Sequence, residues 1–183
     1  VISNVKYNSK KSKKWSYQPV NFVVLSEILE RVTGKTYKQL FNQMYINKLG
    51  LKQTEMAYNT VVKTKRSSGY MIKKSGEEVE QNPNGATIRS EMGTGQVYMS
   101  APDYYKLIAS LLNGKILGVN EAKELYLSGN TKYRGGLYTA KKPFYRYANG
   151  YGYGFESHVR ISQDGKKAVV VFSNQQKIGQ NKL

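Results

Sequence analysis

The spacing of apolar residues changes once along the chain, and this change limits the folds that the chain can adopt. After Pro19, apolar residues recur at helical spacing until Gly34, which stands where a helix C-terminus favours glycine. We expect this first helix to pack its apolar stripe against the core. Beyond about residue 131, short apolar runs are typical of strands. Helices followed by an antiparallel ribbon predict an α+β fold.

Further helices are predicted from their start signals. Thr36 can cap a second helix that ends near residue 49. Ser100 stands before Pro102 and Asp103, a combination that starts helices, and it predicts a helix over residues 104–112. A weaker pattern predicts a helix over residues 120–127.

The remaining segments are predicted as strands and surface loops. Residues 58–96 are polar and predict a long surface insertion, in which residues 69–81 form a short extended segment with a turn at Ser75-Gly76. Three runs near the end predict strands, and Asp164-Gly165 predicts a hairpin between the last two. These three runs are residues 135–139, 152–162 and 167–173. We therefore treat residues 1–183 as the C-terminal portion of one domain, with an exposed loop (1–16), a mainly helical part (17–130) and antiparallel strands (131–183).

Composition excludes several kinds of chemistry. The chain has no cysteine, so it can form neither disulfides nor thiolate metal sites. Its single histidine, His158, leaves no partner for a two-histidine metal site. No apolar run reaches the length of a membrane span, and the start of the chain lacks the apolar core of a signal peptide. No metal or organic cofactor is implied.

The chain is strongly basic, with a formal net charge of +17. Such a charge attracts polyanions, and three classes are open: nucleic acid, the anionic headgroups of a membrane surface, and a phosphate-rich wall polymer such as teichoic acid. A merely solubilising basic surface is an equal alternative. Nucleic acid has only the charge in its favour, because no nucleic-acid motif with interleaved aromatic residues is present.

Five segments, in their order along the chain, resemble the second half of the serine β-lactamase and DD-peptidase (penicillin-binding protein) family. They are residues 17–25, 32–37, 49–51, 93–103 and 169–174. The first is similar to the Y-S-N-T-N-Y start of a buried helix, and the last to the closing V-V-V-L-T-N strand. The resemblance is to the branch with class C β-lactamases and D-alanyl-D-alanine carboxypeptidases, and it implies a β-lactamase/transpeptidase-like fold.

The resemblance implies a serine nucleophile followed by a lysine in an S-x-x-K motif on a buried helix. Residues three apart share a helix face, which brings the lysine amine to the serine hydroxyl. Ser3 and Lys6 have this spacing, but they lie close before Tyr17 in a polar stretch without a helical stripe. We therefore expect the nucleophile, the N-terminal strands and any export signal to lie outside these residues, and the parent protein to be extracellular or on the cell surface of a Gram-positive bacterium.

Tyr17 matches the tyrosine of the family's Y-x-N motif, which implies a catalytic role as general base or proton relay. The alternative is an aromatic residue that only closes the start of a helix. Pro19 replaces the asparagine of this motif. Proline has no amide to offer an acyl donor, so ordinary β-lactam recognition is not expected.

Asn149, Gly150 and Tyr151 match the family's third motif, K-T-G or H-x-G, which implies a substrate-binding strand edge with an N–H for the oxyanion hole. Asn149 keeps a hydrogen-bond donor but removes the positive charge of lysine or histidine. The alternative is that these residues form a glycine- and tyrosine-rich turn with no catalytic or substrate-binding role. His158 is interpreted as a structural or surface residue away from this motif.

The departures at Pro19 and Asn149 resemble those of teichoic acid D-alanyl esterases, whose polyanionic substrate would suit a basic protein. Two functions follow. The first is a serine hydrolase of D-alanyl esters or D-alanyl peptides of the cell wall, with peptidoglycan or teichoic acid as its partner. The second is a catalytically inactive relative that binds an anionic wall polymer.

Overall fold

The computed structural model describes residues 9, 15–57, 66–128, 132–141 and 144–177. In chain order its helices are α1 (Val20–Thr33), α2 (Tyr37–Phe41), α3 (Gly85–Ser90), α4 (Ala101–Leu112) and α5 (Val119–Ala122). Helices α2 and α5 continue as wider π-helical turns over Asn42–Asn47 and Lys123–Leu127. The strands are β1 (Thr54–Met56), β2 (Gly69–Ile72), β3 (Glu78–Gln81), β4 (Val97–Met99), β5 (Tyr133–Arg134), β6 (Leu137–Lys141), β7 (Phe144–Gly152), β8 (Phe155–Ile161), β9 (Ala168–Ser173) and β10 (Gln175–Lys177).

Helix α1 forms where the sequence predicts it, and Gly34 ends it in the left-handed region at φ 66°. Its expected role as a core-packing helix is wrong for the described part of the chain. Only Ser26 is buried, and it donates a hydrogen bond to the backbone oxygen of Met92 at 3.1 Å. Val32 is 80% exposed, and Leu25, Ile28 and Leu29 are also exposed. The described chain therefore covers Ser26 and partly covers Val20, Val23 and Val24, and it leaves the apolar residues in the second half of the helix exposed.

The start signals of α2 and α4 are confirmed. The Thr36 side chain accepts from the backbone N–H of Gln39, whose side chain accepts from the Thr36 N–H, which is a complete capping box. The Ser100 hydroxyl accepts from the N–H of Asp103, so α4 begins at Ala101 rather than at Tyr104. Both caps satisfy backbone donors that a helix start would otherwise leave unpaired.

The middle of the chain contains four short strands, two of which lie in the segment predicted to be extended over residues 69–81, whereas β1 and β4 were not expected in a mainly helical part. Strands β2 and β3 form a hairpin around the predicted turn at Ser75-Gly76, and β1 pairs with β4. Strand β10 then pairs in parallel with β2, so the last strand leaves the antiparallel ribbon and joins this hairpin. The β1–β4 and β10–β2 pairings join segments far apart in sequence, and no local pattern in the sequence predicted them.

The main sheet has five antiparallel strands in the order β5-β6-β7-β8-β9. The predicted hairpin at Asp164-Gly165 joins β8 to β9. The strand predicted over residues 152–162 is instead the end of β7, a turn, and β8. The residue pattern alone did not predict β7, because its glycine- and tyrosine-rich end resembles a turn, whereas the family resemblance implied a strand edge at residues 149–151.

The core lies between this sheet and the helices on one of its faces. The buried side chains of this core are Ile108, Leu112, Ala122, Tyr126, Leu137 and Ile161. Each large apolar side chain buried there stabilises the fold by about 1.5–3 kcal/mol. A second cluster of Leu49, Leu51 and Ile116 joins the end of the α2 segment to the loop after α4. In the described ranges, no helix combines the length and the apolar character needed to cross a membrane.

Candidate active site

The residues predicted to bind substrate lie on strand β7, not in a turn. Asn149, Gly150 and Tyr151 pair with His158, Ser157 and Glu156 of β8, respectively. The chain turns only afterwards, at Tyr153 and Gly154, which have φ angles of 51° and 79°. The glycine- and tyrosine-rich segment therefore has extended, hydrogen-bonded backbone, as a substrate-binding strand requires.

One side of this part of β7 has no partner strand in the described chain. Strand β6 pairs with β7 only from Phe144 to Tyr147, whereas β8 pairs with β7 up to Gly152. We call the unpaired side of residues 148–152 the open edge. Unpaired N–H and C=O groups on such an edge can form hydrogen bonds with an extended ligand.

Glycine at position 150 leaves room for a serine on the neighbouring strand. A Cβ atom placed there would lie 2.5 Å from the Ser157 hydroxyl oxygen, whereas the Ser157 Cβ atom would be 3.8 Å away. A side chain at this position would therefore require the Ser157 hydroxyl to rotate aside.

The Asn149 side chain is held from the neighbouring strand. Its Oδ1 accepts a hydrogen bond from Arg160 Nη1 at 2.8 Å, and His158 Nδ1 lies 3.2 Å from the same oxygen. The Arg160 guanidinium lies 4.8 Å from the centre of the Tyr147 ring, and Nη1 also donates to the backbone oxygen of Val159. The positive charge that asparagine itself lacks is therefore supplied within hydrogen-bonding distance of Asn149.

The interpretation of His158 as a residue away from the motif is wrong, because it lies directly opposite Asn149. Its ring packs edge-on to Tyr151, with centroids 5.6 Å apart. Its Nε2 lies 3.6 Å from a carboxylate oxygen of Glu156, and this buried nitrogen has no hydrogen-bond partner among the described residues. Both side chains are mostly shielded, at 16% and 17% exposure.

Tyr17 lies before α1 and is 52% exposed. Burial raises the pKa of the Tyr133 and Tyr138 phenols, and the nearby Tyr17 raises both further. Tyr138 stacks on Tyr147 at 5.1 Å, and Tyr147 precedes Asn149 on the same face of the sheet. A row of tyrosine rings therefore connects Tyr17 with the face of the sheet that carries Asn149. Tyr17 forms no hydrogen bond with Asn149 in the described chain.

Pro19 takes the N-cap position of α1 with φ −55°, and no side chain caps this helix. The helix start therefore offers no amide at this position, as the sequence indicates. Ser3 and Lys6, which have the spacing of the S-x-x-K motif, lie outside the described residues.

The turn that ends β7 is anchored to the segment before β4. Burial, together with a hydrogen bond to Glu91, raises the pKa of Tyr153 to about 12, so its phenol stays protonated and donates to the carboxylate. Gly154 packs against β2, where a Cβ atom would lie 2.2 Å from the backbone nitrogen of Tyr70. The far end of the open edge is thus fixed by tertiary contacts.

The sequence did not reveal the network of His158, Arg160, Tyr147 and Glu156. These residues share one face because they alternate along paired strands. His158 and Arg160 alternate in the sequence with Val159 and Ile161, which are buried. This alternation could have indicated that His158 and Arg160 share the other face of a strand. It could not be linked to Asn149 without the register of β7.

Comparison with known proteins gives a consistent picture. The family model described as Beta-lactamase matches residues 1–182. The chain is 28% identical over 171 residues to the Bacillus subtilis protein PbpX, named as a penicillin-binding protein, covering 91% of the chain and 42% of that protein. It is 30% identical over 169 residues to the teichoic acid D-alanine hydrolase of Staphylococcus aureus, covering 90% and 41%. The chain thus spans less than half the length of these relatives.

The fold agrees with these sequence matches. The crystal structure of FmtA from Staphylococcus aureus has a TM-score of 0.78 and 25% identity, covering 94% of this chain and 49% of that chain. The α+β, β-lactamase/transpeptidase-like fold and the resemblance based on the five segments are both confirmed. The matched family model covers nearly all of the sequence, and the chain belongs to the β-lactamase family.

Proposed function

We propose that the protein containing this chain is a serine hydrolase that cleaves D-alanyl esters of an anionic cell-wall polymer. Membership of the β-lactamase family, together with relatives named as a penicillin-binding protein and a teichoic acid D-alanine hydrolase, supports a serine hydrolase-like function. The observation that carries the finer proposal is the open edge of β7, with Asn149 held beside the Arg160 guanidinium. An exported protein at the cell surface would meet this substrate.

In this mechanism the chain supplies the substrate-binding wall, and the nucleophilic serine comes from outside residues 1–183. The serine oxygen forms a bond to the ester carbonyl carbon, and the ester C–O bond breaks as the polymer hydroxyl leaves with a proton. Water then hydrolyses the acyl-serine and releases D-alanine. Tyr17 is assigned the proton transfer, and a backbone N–H at the open edge stabilises the oxyanion.

Charge favours a polyanionic ester over an uncharged peptide. The net charge of +17 raises the local concentration of a phosphate-rich polymer around the protein. At the site itself, Arg160 adds a fixed positive charge beside Asn149. Pro19 offers no N–H where the family's asparagine would serve an acyl amide, which also favours an ester over D-alanyl peptides.

The test uses the full-length protein that contains this chain. It is incubated with D-alanylated teichoic acid, and released D-alanine is measured, while a fluorescent serine-reactive phosphonate labels the nucleophile for peptide mapping. We expect D-alanine release and label on a serine of an S-x-x-K motif outside residues 1–183. The same assay on a Tyr17→Phe variant should show at least about a tenfold slower release.

The alternative is an inactive relative that binds anionic wall polymer without turnover. The replacement of two motif positions by Pro19 and Asn149 favours it. A folded protein that takes up no phosphonate and releases no D-alanine, yet sediments with teichoic acid, would establish this alternative and exclude the hydrolase.

A further inference from the structure

We propose that Arg160 and His158 are positioning residues that hold the Asn149 amide with its two N–H donors toward the open edge, where they bind an oxygen acceptor of the substrate. This inference rests on the proposed function for the identity of the substrate. The hydrogen-bond network itself can be tested without any activity. Neither positioning residue was expected to take part in the site.

The orientation of the amide follows from the chemistry of arginine. A guanidinium has only donors, so the Asn149 atom 2.8 Å from Arg160 Nη1 must be the oxygen. Arg160 lies on β8, so Oδ1 points toward β8. Because Oδ1 is turned toward β8, we infer that the amide nitrogen, which is bonded to the same carbon, faces the side of β7 where residues 148–152 have no partner strand in the described chain.

The same constraint fixes the proton on the histidine ring. Because Oδ1 can only accept, the His158 Nδ1 at 3.2 Å must carry hydrogen to bond with it. In the neutral ring, Nε2 is then an unprotonated acceptor. It is buried 3.6 Å from a carboxylate oxygen of Glu156 and has no hydrogen-bond partner in the part of the chain that the structure describes. The network therefore selects the Nδ1–H tautomer, which an isolated histidine would have no reason to prefer.

Arg160 is itself fixed before it acts on Asn149. Its guanidinium packs over the Tyr147 ring and donates to the Val159 backbone oxygen, so its position does not depend on a ligand. An amide held by two donors loses little conformational freedom when it binds an oxygen acceptor, which increases affinity. A lysine at position 160 could still donate a hydrogen bond to Asn149, but its ammonium group could not stack flat on the Tyr147 ring.

The activity arm of the experiment uses the full-length protein and an uncharged N-acetyl-D-alanyl ester, so that changes in overall charge have little effect. Asn149→Asp keeps an oxygen for Arg160 and His158 but removes both N–H donors, and we expect about a tenfold loss of kcat/KM. Arg160→Met should raise KM more than it lowers kcat, and Arg160→Lys should recover part of the loss. Arg31→Met is the matched control, because Arg31 is on α1, 76% exposed and paired only locally with Glu27.

The structural arm uses ¹⁵N-histidine NMR of the same full-length protein, with His158 assigned through a His158→Gln variant. At a pH high enough to deprotonate the ring, we expect the proton on Nδ1, and loss of that preference in Asn149→Ala. An Nε2–H tautomer, or an Asn149→Asp variant as active as the parent, would overturn the inference. If the parent does not cleave the ester, the proposed function fails, while the tautomer still decides whether the network exists.

Discussion

At the scale of single residues, the geometry of the open edge depends on positions where only a small side chain or none fits. Gly154 is the clearest case. It adopts φ 79°, and an added Cβ would meet the backbone of Tyr70 at 2.2 Å and of Gly69 at 2.5 Å. Backbone atoms cannot rotate aside as a side chain can, so the hairpin end and β2 would have to separate.

A Gly154→Ala substitution should therefore lower the free energy of unfolding by about 2–4 kcal/mol, because strain from positive φ adds to the steric overlap. Gly76→Ala is the matched control: it has a similar φ of 88° but open space around it, and should cost only about 1–2 kcal/mol. Urea unfolding followed by circular dichroism measures both. Equal losses would show that the contact with β2 contributes nothing.

At the scale of elements, helix α4 links the core to the sheet. Its residues Ile108 and Leu112 belong to the main core, and Tyr104 packs against Phe172 of β9 with ring centroids 5.5 Å apart. The helix start is held by the Ser100 cap. A weakened cap should therefore reduce the stability of the whole unit rather than only unwind one turn.

Ser100→Ala should lower the free energy of unfolding by about 0.5–2 kcal/mol, since the N–H of Asp103 loses its acceptor. Ser75→Ala provides the comparison, because Ser75 is exposed in the β2–β3 turn and its hydroxyl is 3.5 Å from the nearest backbone donor, that of Glu77. Thermal unfolding should show a lower Tm for the first variant and almost no change for the second. A Tm decrease confined to Ser75→Ala would contradict this assignment of the cap.

At the scale of the whole molecule, charge dominates the interaction with a polymer. The net charge of +17 is spread over many lysine and arginine side chains, so attraction to a polyanion acts before any specific contact forms. Arg160 differs from this general charge because it is tied to Asn149 and Tyr147. The two contributions should respond differently to salt.

Binding of teichoic acid to the full-length protein should weaken strongly between about 0.05 and 0.5 M salt, because screening removes most attraction between exposed charges. Cleavage of an uncharged D-alanyl ester should change far less over the same range. Isothermal titration calorimetry and ester kinetics at matched salt concentrations measure the two effects. Polymer binding that is insensitive to salt would indicate that specific contacts, rather than net charge, hold the polymer.

Local sequence signals were sufficient to predict several helix ends and turns. Ser100 and Thr36 cap helices, Gly34 ends α1, and Asp164-Gly165 turns a hairpin, because each of these signals acts within a few residues. The order of such segments was also enough for the resemblance to the β-lactamase family, which the family match confirms.

The set of residues that form the candidate site depends on tertiary contacts. The register of β7 against β8 puts His158 and Arg160 beside Asn149, although they are 9 and 11 residues away along the chain. Tertiary pairing also placed β10 beside β2, and the second half of the α1 apolar stripe is exposed in the described chain. These features depend on partners distant in sequence, so the local patterns that predicted the helix caps and the hairpin turn could not predict them.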